Sequence, residues 1–368
     1  MSTRPDFRRT QNNFDLLRLI LAIGVCFHHV AYLIQSTVLP KQLPFLSAQD
    51  CVFCFFTISG YLISKSLNRS QNLWDYAEKR VRRIYPAYFL VITACVVAGF
   101  FLTNLSAGEF ARSAHTWKYI VFNLSFLNML TPDLPGVFTD NRSTAINGSL
   151  WSIRVEVFCY VLLPVMLFFA RKWGTRATAI LGLLLFCFGI AVVSHLEATM
   201  NQPILKQIRI GVFVSTAYFL AGVMISKRSD WFRIHGNLLA ASSLVLLIAS
   251  ALLSSELWLY GKIIPASILT IYAATAFPYL GNWSRHGDLS YGIYIFHFPI
   301  TQTLIQLGWD ERLGDWSFLA IVMLLTALLA KLSWSVVEKP FLKRSSHYRI
   351  AEASEPRESL PEQSVSTT

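Results

Sequence analysis

The sequence predicts an all-α integral membrane protein with about ten transmembrane helices, both termini cytoplasmic, and a re-entrant or interfacial segment near residues 117–130. Three observations carry this. The 368-residue chain is 54% hydrophobic and 14% charged, whereas a soluble domain is about 25% charged. Ten apolar stretches approach the roughly 20 residues that a helix needs to cross a bilayer. Lysine and arginine alternate between crowded and sparse loops, as the positive-inside rule requires.

Taken in order, the stretches fall near 14–34, 49–66, 85–104, 149–169, 177–195, 209–226, 237–254, 262–280, 289–307 and 317–337. The first is too long for a signal-peptide core and lacks a small-residue cleavage site, so it is expected to remain as a helix. With the N-terminus inside, the inner segments hold 18 Lys and Arg, and the outer ones only Lys41, Arg112, Lys118, Arg142, Lys206 and Arg312. WKYIVFNLSFLNML (117–130) is apolar but short. Making it a span would invert every later loop. The net charge of +11 therefore belongs to inner loops and gives no reason to invoke nucleic acid. Six cysteines lie in apolar runs. Cys51 and Cys54 have CxxC spacing without histidine nearby, so they read as packing residues and no metal is expected. Residues 1–345 form the membrane domain, and 346–368 a polar tail expected to be disordered.

Ionisable groups inside spans cost several kcal/mol and are functional candidates by default. Arg18 and His29 are eleven residues apart, so they share a helix face about 16 Å apart along the axis, with Asp15 one turn below Arg18. His28 points about 80° away. Ser152 and Glu156, four apart in SLWSIRVEVFCYVLLP, share a face of the fourth span. Counted from the outer boundary, Glu156 comes level with His29, which suggests a general base with an orienting carboxylate, or two proton handlers. Arg154 would then stabilise an oxyanion or neutralise Glu156. EKRVRRIYP (78–86) gathers Lys79, Arg80, Arg82 and Arg83, with Pro86 expected in the first turn of the third span. The cluster reads either as a membrane anchor or as a phosphate clamp. His297 lies mid-helix in LSYGIYIFHFPI before Pro299, and is either packing or catalytic support.

These residues carry a resemblance. FDLLRLILAIGVCFHH, FFTISGYLIS, KRVRRIYPAY, SLWSIRVEVFCYVLLP and LSYGIYIFHFPI, in this order, resemble the signatures of the membrane acyltransferase-3 family. That family includes bacterial O-antigen, exopolysaccharide and nodulation-factor O-acetylases. The likeness runs from about Phe14 to Phe341. It implies a bacterial inner-membrane enzyme that takes an acyl group, acetyl above all, from cytoplasmic acyl-CoA. The donor's phosphates would meet Arg18, Lys79, Arg80, Arg82 and Arg83. The acyl group would pass to a carbohydrate hydroxyl on the outer side, with His29 the essential residue and Ser152, Arg154, Glu156 and His297 around it. Membrane lipid is the other partner. Two positions differ from the family pattern: Val157 stands where a second carboxylate is common, and Arg154 where a small residue is. A proton-coupled transporter or flippase using the same His, Glu and Arg is the competing class.

Overall fold

The computed structural model describes residues 12–40, 47–200, 203–250, 252, 255–283, 287–343, 346, 348 and 349, and these form helices without a strand. Among the described residues, eight helices are long and apolar enough to cross a membrane. Two of the ten expected stretches do not qualify. Residues 262–280 hold a helix of only 13 residues, Ile263–Thr275, and 289–307 hold Leu289–Gln306, which is missing from the eight. The second has a physical reason: nearly every residue from Ser290 to Phe298 is buried by protein, so lipid does not select apolar side chains there.

Helix α1 (Phe14–Leu33) is anchored at its start by Asn13, whose Nδ2 donates to Pro278 O at 3.0 Å and whose Oδ1 accepts from Leu280 N at 2.9 Å. Arg142 closes the other end, donating to Tyr32 O at 2.6 Å. Helix α2 (Ala48–Asn68) begins with a capping box, Ser47 with Asp50. Asp50 also pairs with Lys262.

Helix α3 (Leu73–Leu102) overturns one expectation. Pro86 lies in its interior, not in its first turn. The helix starts a dozen residues earlier because Asn72 caps it, accepting from Asp75 N at 2.8 Å. Lys79–Asp75 and Arg82–Glu78 pairs, four residues apart, then support the basic stretch as helix.

After α3 the chain forms α4 (Ala107–Arg112) and then runs back along α3 as α5 (Ala114–Leu124). Phe110 meets Phe100 at 4.8 Å, and Asn123 O accepts from Tyr88 OH at 2.8 Å. The chain reverses at Phe126, which has a left-handed φ of 61° and stacks on Tyr88 at 4.5 Å. It climbs back to Thr103, whose Oγ1 donates to Pro135 O. Tyr88 is fourteen residues from Leu102, so the tip lies about 21 Å down α3. Segment 117–130 thus enters and leaves at one end of the bundle.

Next come α6 (Leu150–Trp173), α7 (Thr175–Met200), α8 (Pro203–Ile208), a π-helical stretch at Arg209–Val214, α9 (Ser215–Lys227), α10 (Ser229–Ser250), α11 (Ser255–Gly261) and α12 (Ile263–Thr275). Helices α2 and α9 pack most extensively. A Cβ at Gly60 would strike the Phe219 carbonyl, and one at Gly222 the Thr57 carbonyl, so backbone meets backbone there. Helix α13 (Leu289–Gln306) forms the centre, packed on α1 and α15 (Asp315–Ser333). Between α13 and α15 stands the short α14 (Trp309–Arg312). A second π-helical turn, Trp334–Glu338, precedes α16 (Lys339–Phe341).

Candidate active site

Polar residues of α1, α3, α6 and α13 form a column through the bundle. Its two ends are fixed by α1, with Arg18 at one and His29 at the other.

At the histidine end, His29 Nδ1 lies 2.8 Å from His297 Nε2, and the rings stack at 5.1 Å. His297 Nδ1 is 3.0 Å from Ile293 O. A carbonyl only accepts, so His297 carries its proton on Nδ1 and presents a lone pair at Nε2. His29 must then donate from Nδ1, which leaves its own lone pair on Nε2. His297 is fully buried, whereas His29 is half-buried. The buried ring orients the accessible one. Ser149 Oγ stands 3.3 Å from His297 Nε2. His28 is buried on another face, edge-on to Phe27.

This is not the partner that the depth count suggests for His29. Glu156 does not orient it: Glu156 Oε1 accepts from Tyr160 OH at 2.6 Å and Ser59 Oγ at 2.9 Å. The depth count failed because α6 does not begin at the outer boundary. The preceding loop folds along α13, with Gln302 Nε2 donating to Ser143 O and Asn147 Nδ2 to Ile295 O. Ser149, completely buried, is thereby already level with His297 when the helix starts. Glu156 follows seven residues later, about 10 Å further toward the arginine end. Ser152 lies between, its Oγ 2.6 Å from Tyr294 OH.

Arg154 forms no ion pair with Glu156. Its Nη1 is buried without a hydrogen-bond partner among the described residues. Five residues below Ser149 place it about 7–8 Å from the histidine level, so an oxyanion role at His29 does not fit.

At the arginine end, the buried carboxylate is Asp288, the N-cap of α13. Its Oδ1 accepts from Ser290 N at 3.1 Å, while Oδ2 takes Arg18 Nη1 at 2.7 Å, Arg83 Nη2, and Tyr348 OH at 2.9 Å. Burial pushes the Asp288 carboxyl up, but Arg18 and Arg83 outweigh it and hold the group well below the usual carboxylate range. Arg83 also reaches Glu338 at 3.4 Å, which the π-helical turn carries inward. Tyr348 inserts from the chain's last described segment, its hydroxyl 2.8 Å from Asp15 Oδ1 and its ring 5.2 Å from Trp334. Asp15 thus reaches Arg18 through Tyr348, while Asp288 orients the guanidinium directly.

The basic run does not act as one clamp with Arg18, because successive residues turn about 100° around α3. Arg83 joins Arg18 at Asp288. Lys79 and Arg82 pair with Asp75 and Glu78 on their own helix. Arg80 bonds Ser66 Oγ at 3.2 Å and lies over the Tyr160 ring at 5.8 Å, and its buried Nε has no partner. No ion pair to Arg80 occurs among the described residues, so it is the cation of this group with a free face.

Sequence reasoning passed over Asp288, Ser149, Ser59, Tyr160 and Tyr348. Asp288 had a signal, since Asp-Leu-Ser opening an apolar helix is an N-cap pattern. The others acquire meaning only through contacts between distant helices. Among the described residues no three His, Cys, Asp or Glu side chains gather to hold a metal ion.

The described residues thus form a bundle of apolar helices with a histidine pair at one end and a carboxylate-held arginine pair at the other. The chain belongs to the acyltransferase-3 family: residues 11–334 match its acyltransferase domain. An O-acetyl transferase of Shigella phage Sf6 is 27% identical over 346 residues, covering 91% of this chain and 97% of that protein. Nodulation protein 10 of Rhizobium leguminosarum bv. viciae is 28% identical over 356 residues, covering 90% and 94%. A peptidoglycan O-acetyltransferase of Listeria monocytogenes is 24% identical and covers 78% of this chain, which spans half of that relative's length. No solved structure matches the chain.

Proposed function

We propose that this acyltransferase is an O-acetyltransferase of the bacterial inner membrane. It takes an acetyl group from cytoplasmic acetyl-CoA and places it on a carbohydrate hydroxyl presented at the outer side. The observation that carries this reading is the His29–His297 bond at 2.8 Å, because it directs the lone pair of His29 Nε2 away from its partner. A nitrogen so presented accepts a hydroxyl proton as general base or attacks a thioester as nucleophile.

In direct transfer, the acceptor oxygen bonds the acyl carbon as the C–S bond breaks. His29 Nε2 takes the hydroxyl proton and delivers it to the departing thiolate. In the covalent route, Nε2 first bonds the acyl carbon as the C–S bond breaks and the thiolate leaves. The acceptor oxygen then bonds the acyl carbon as the C–N bond breaks, and its hydroxyl proton neutralises the released thiolate. The arginine end suits the donor's phosphates. Arg18 and Arg83 are preset by Asp288, and Arg80 offers the free face. An extended donor arm spans the interval of about 16 Å between Arg18 and His29.

The test uses purified protein in lipid nanodiscs with labelled acetyl-CoA and a saccharide acceptor. His29→Ala is expected to abolish transfer, and His297→Ala to lower kcat by about 10²–10⁴. A His29→Ala variant that folds and keeps its rate contradicts the proposal. Rapid quenching without acceptor separates the two routes, since only the covalent one accumulates acyl-His29.

A further inference from the structure

The arginine end holds one residue from beyond α16. Tyr348 OH accepts from Arg18 Nη1 at 3.0 Å and reaches Asp15 Oδ1 at 2.8 Å and Asp288 Oδ2 at 2.9 Å. Its ring lies over the Arg83 guanidinium at 5.7 Å and edge-on to Trp334 at 5.2 Å. The phenol therefore fills the interval between the two arginines, with its hydroxyl on one and its ring over the other. Arg349, the next residue, ties this segment to α16, donating from Nη2 to Lys339 O at 2.8 Å and to Pro340 O at 3.0 Å.

A diphosphate that bridges Arg18 and Arg83 needs the space the phenol fills, so one of the present partners must give way. Asp288 and Glu338 are buried carboxylates paired with these arginines, and withdrawing either would leave an unpaired charge inside the bundle. Both are also fixed by their elements, Asp288 as the N-cap of α13 and Glu338 in the π-helical turn. Tyr348 is neutral and uncovers no charge when it leaves. Its segment is held by Arg349 through hydrogen bonds to two backbone carbonyls, which water replaces at small cost. Among the groups around the two arginines, the phenol is the one a phosphate displaces most easily.

We propose that the segment carrying Tyr348 and Arg349 is a strap that closes the donor site, with the phenol occupying the position of the donor's phosphates. Donor binding then requires the strap to withdraw, and the strap lowers donor affinity by the fraction of time it is closed. The inference rests on the acyl-CoA reading above and adds a competitor built into the chain.

Calorimetry on the full-length protein in detergent tests this with two probes, acetyl-CoA and adenosine 3′,5′-bisphosphate, both of which carry phosphates. A strap closed about nine-tenths of the time weakens binding about ten-fold. Tyr348→Ala is therefore expected to bind both probes about ten-fold more tightly than the unsubstituted protein. Arg349→Ala, which unties the strap without touching the arginine pair, should shift both probes in the same direction by less. A residue that merely holds Arg18 in place would act in the opposite sense, because its loss loosens the arginine. Acetyl-CoA binding that is unchanged or weaker in both variants overturns the strap and leaves the donor reading intact. A gain for acetyl-CoA without one for the bisphosphate overturns the assignment of the phenol to the phosphate position. If neither the unsubstituted protein nor the variants bind acetyl-CoA, the donor reading falls and the strap falls with it.

Discussion

His297 sets the chemistry of His29 by what it cannot do. With its Nδ1 proton committed to Ile293 O, it can only accept from His29, so the proton and the lone pair of His29 have fixed places. A side chain that keeps an acceptor at that point preserves part of the arrangement. His297→Gln, whose amide oxygen accepts, is therefore expected to retain more transfer than His297→Ala, read as kcat in the nanodisc assay. Equal losses would mean that His297 acts only through packing. Asp288 has a structural counterpart at the other end. Asp288→Asn leaves Arg18 and Arg83 sharing no buried negative charge with α13, and removing one partner of such a pair costs about 3–5 kcal/mol. Differential scanning fluorimetry should show a large drop in melting temperature. Because the folded carboxyl titrates below its unfolded value, its contribution is fully present above about pH 4 and is lost only as acid protonates it. The drop should thus be the same at pH 6 and pH 8. Arg18 and His29 were legible as a pair because one helix with a fixed rotation carries both. Their contacts with Asp288 and with His297, itself a candidate from the sequence, were not, since contacts between helices depend on where each neighbouring helix begins.

At the level of elements, hydropathy located the helices well wherever lipid does the selecting. Helix α7 has no buried residue among its 26 and reads as a continuous apolar run. Helix α13 shows the opposite case: protein surrounds it, so it keeps His297, Gln302 and two tyrosines and falls short as a span by composition. The misplaced start of α3 has the same kind of cause. Hydropathy marks only its apolar portion, whereas Asn72 and the paired charges extend the helix beyond it. The reversal of the chain after α5 was not legible, since a left-handed Phe126 persists through its stack on Tyr88. Contact between α2 and α9 depends on two glycines whose absent side chains admit a carbonyl. Gly222→Val would force these helices apart at Thr57, at a cost of about 1–3 kcal/mol or more. Lower melting temperature and poorer monodispersity in detergent are expected, and unchanged behaviour would contradict the backbone contact.

Across the whole molecule, the column has a direction only if the bundle sits in the membrane as its charges imply, with Arg18 toward the cytoplasm. Single cysteines in a chain with its six native cysteines replaced test this. Thr144→Cys should react with an impermeant maleimide in intact spheroplasts, and Gln71→Cys only after lysis. Labelling in the reverse sense would put the histidine pair on the cytoplasmic side. Given that orientation, the proposed reaction moves an acetyl group from a cytoplasmic donor to a carbohydrate through His29. Mass spectrometry of surface glycans from cells carrying the native protein, the His29→Ala variant or neither tests it most directly. A gain of one acetyl group per modified sugar is expected with the native protein alone. The same acetylated glycans in cells carrying His29→Ala, or no acetyl gain with the native protein, would contradict it.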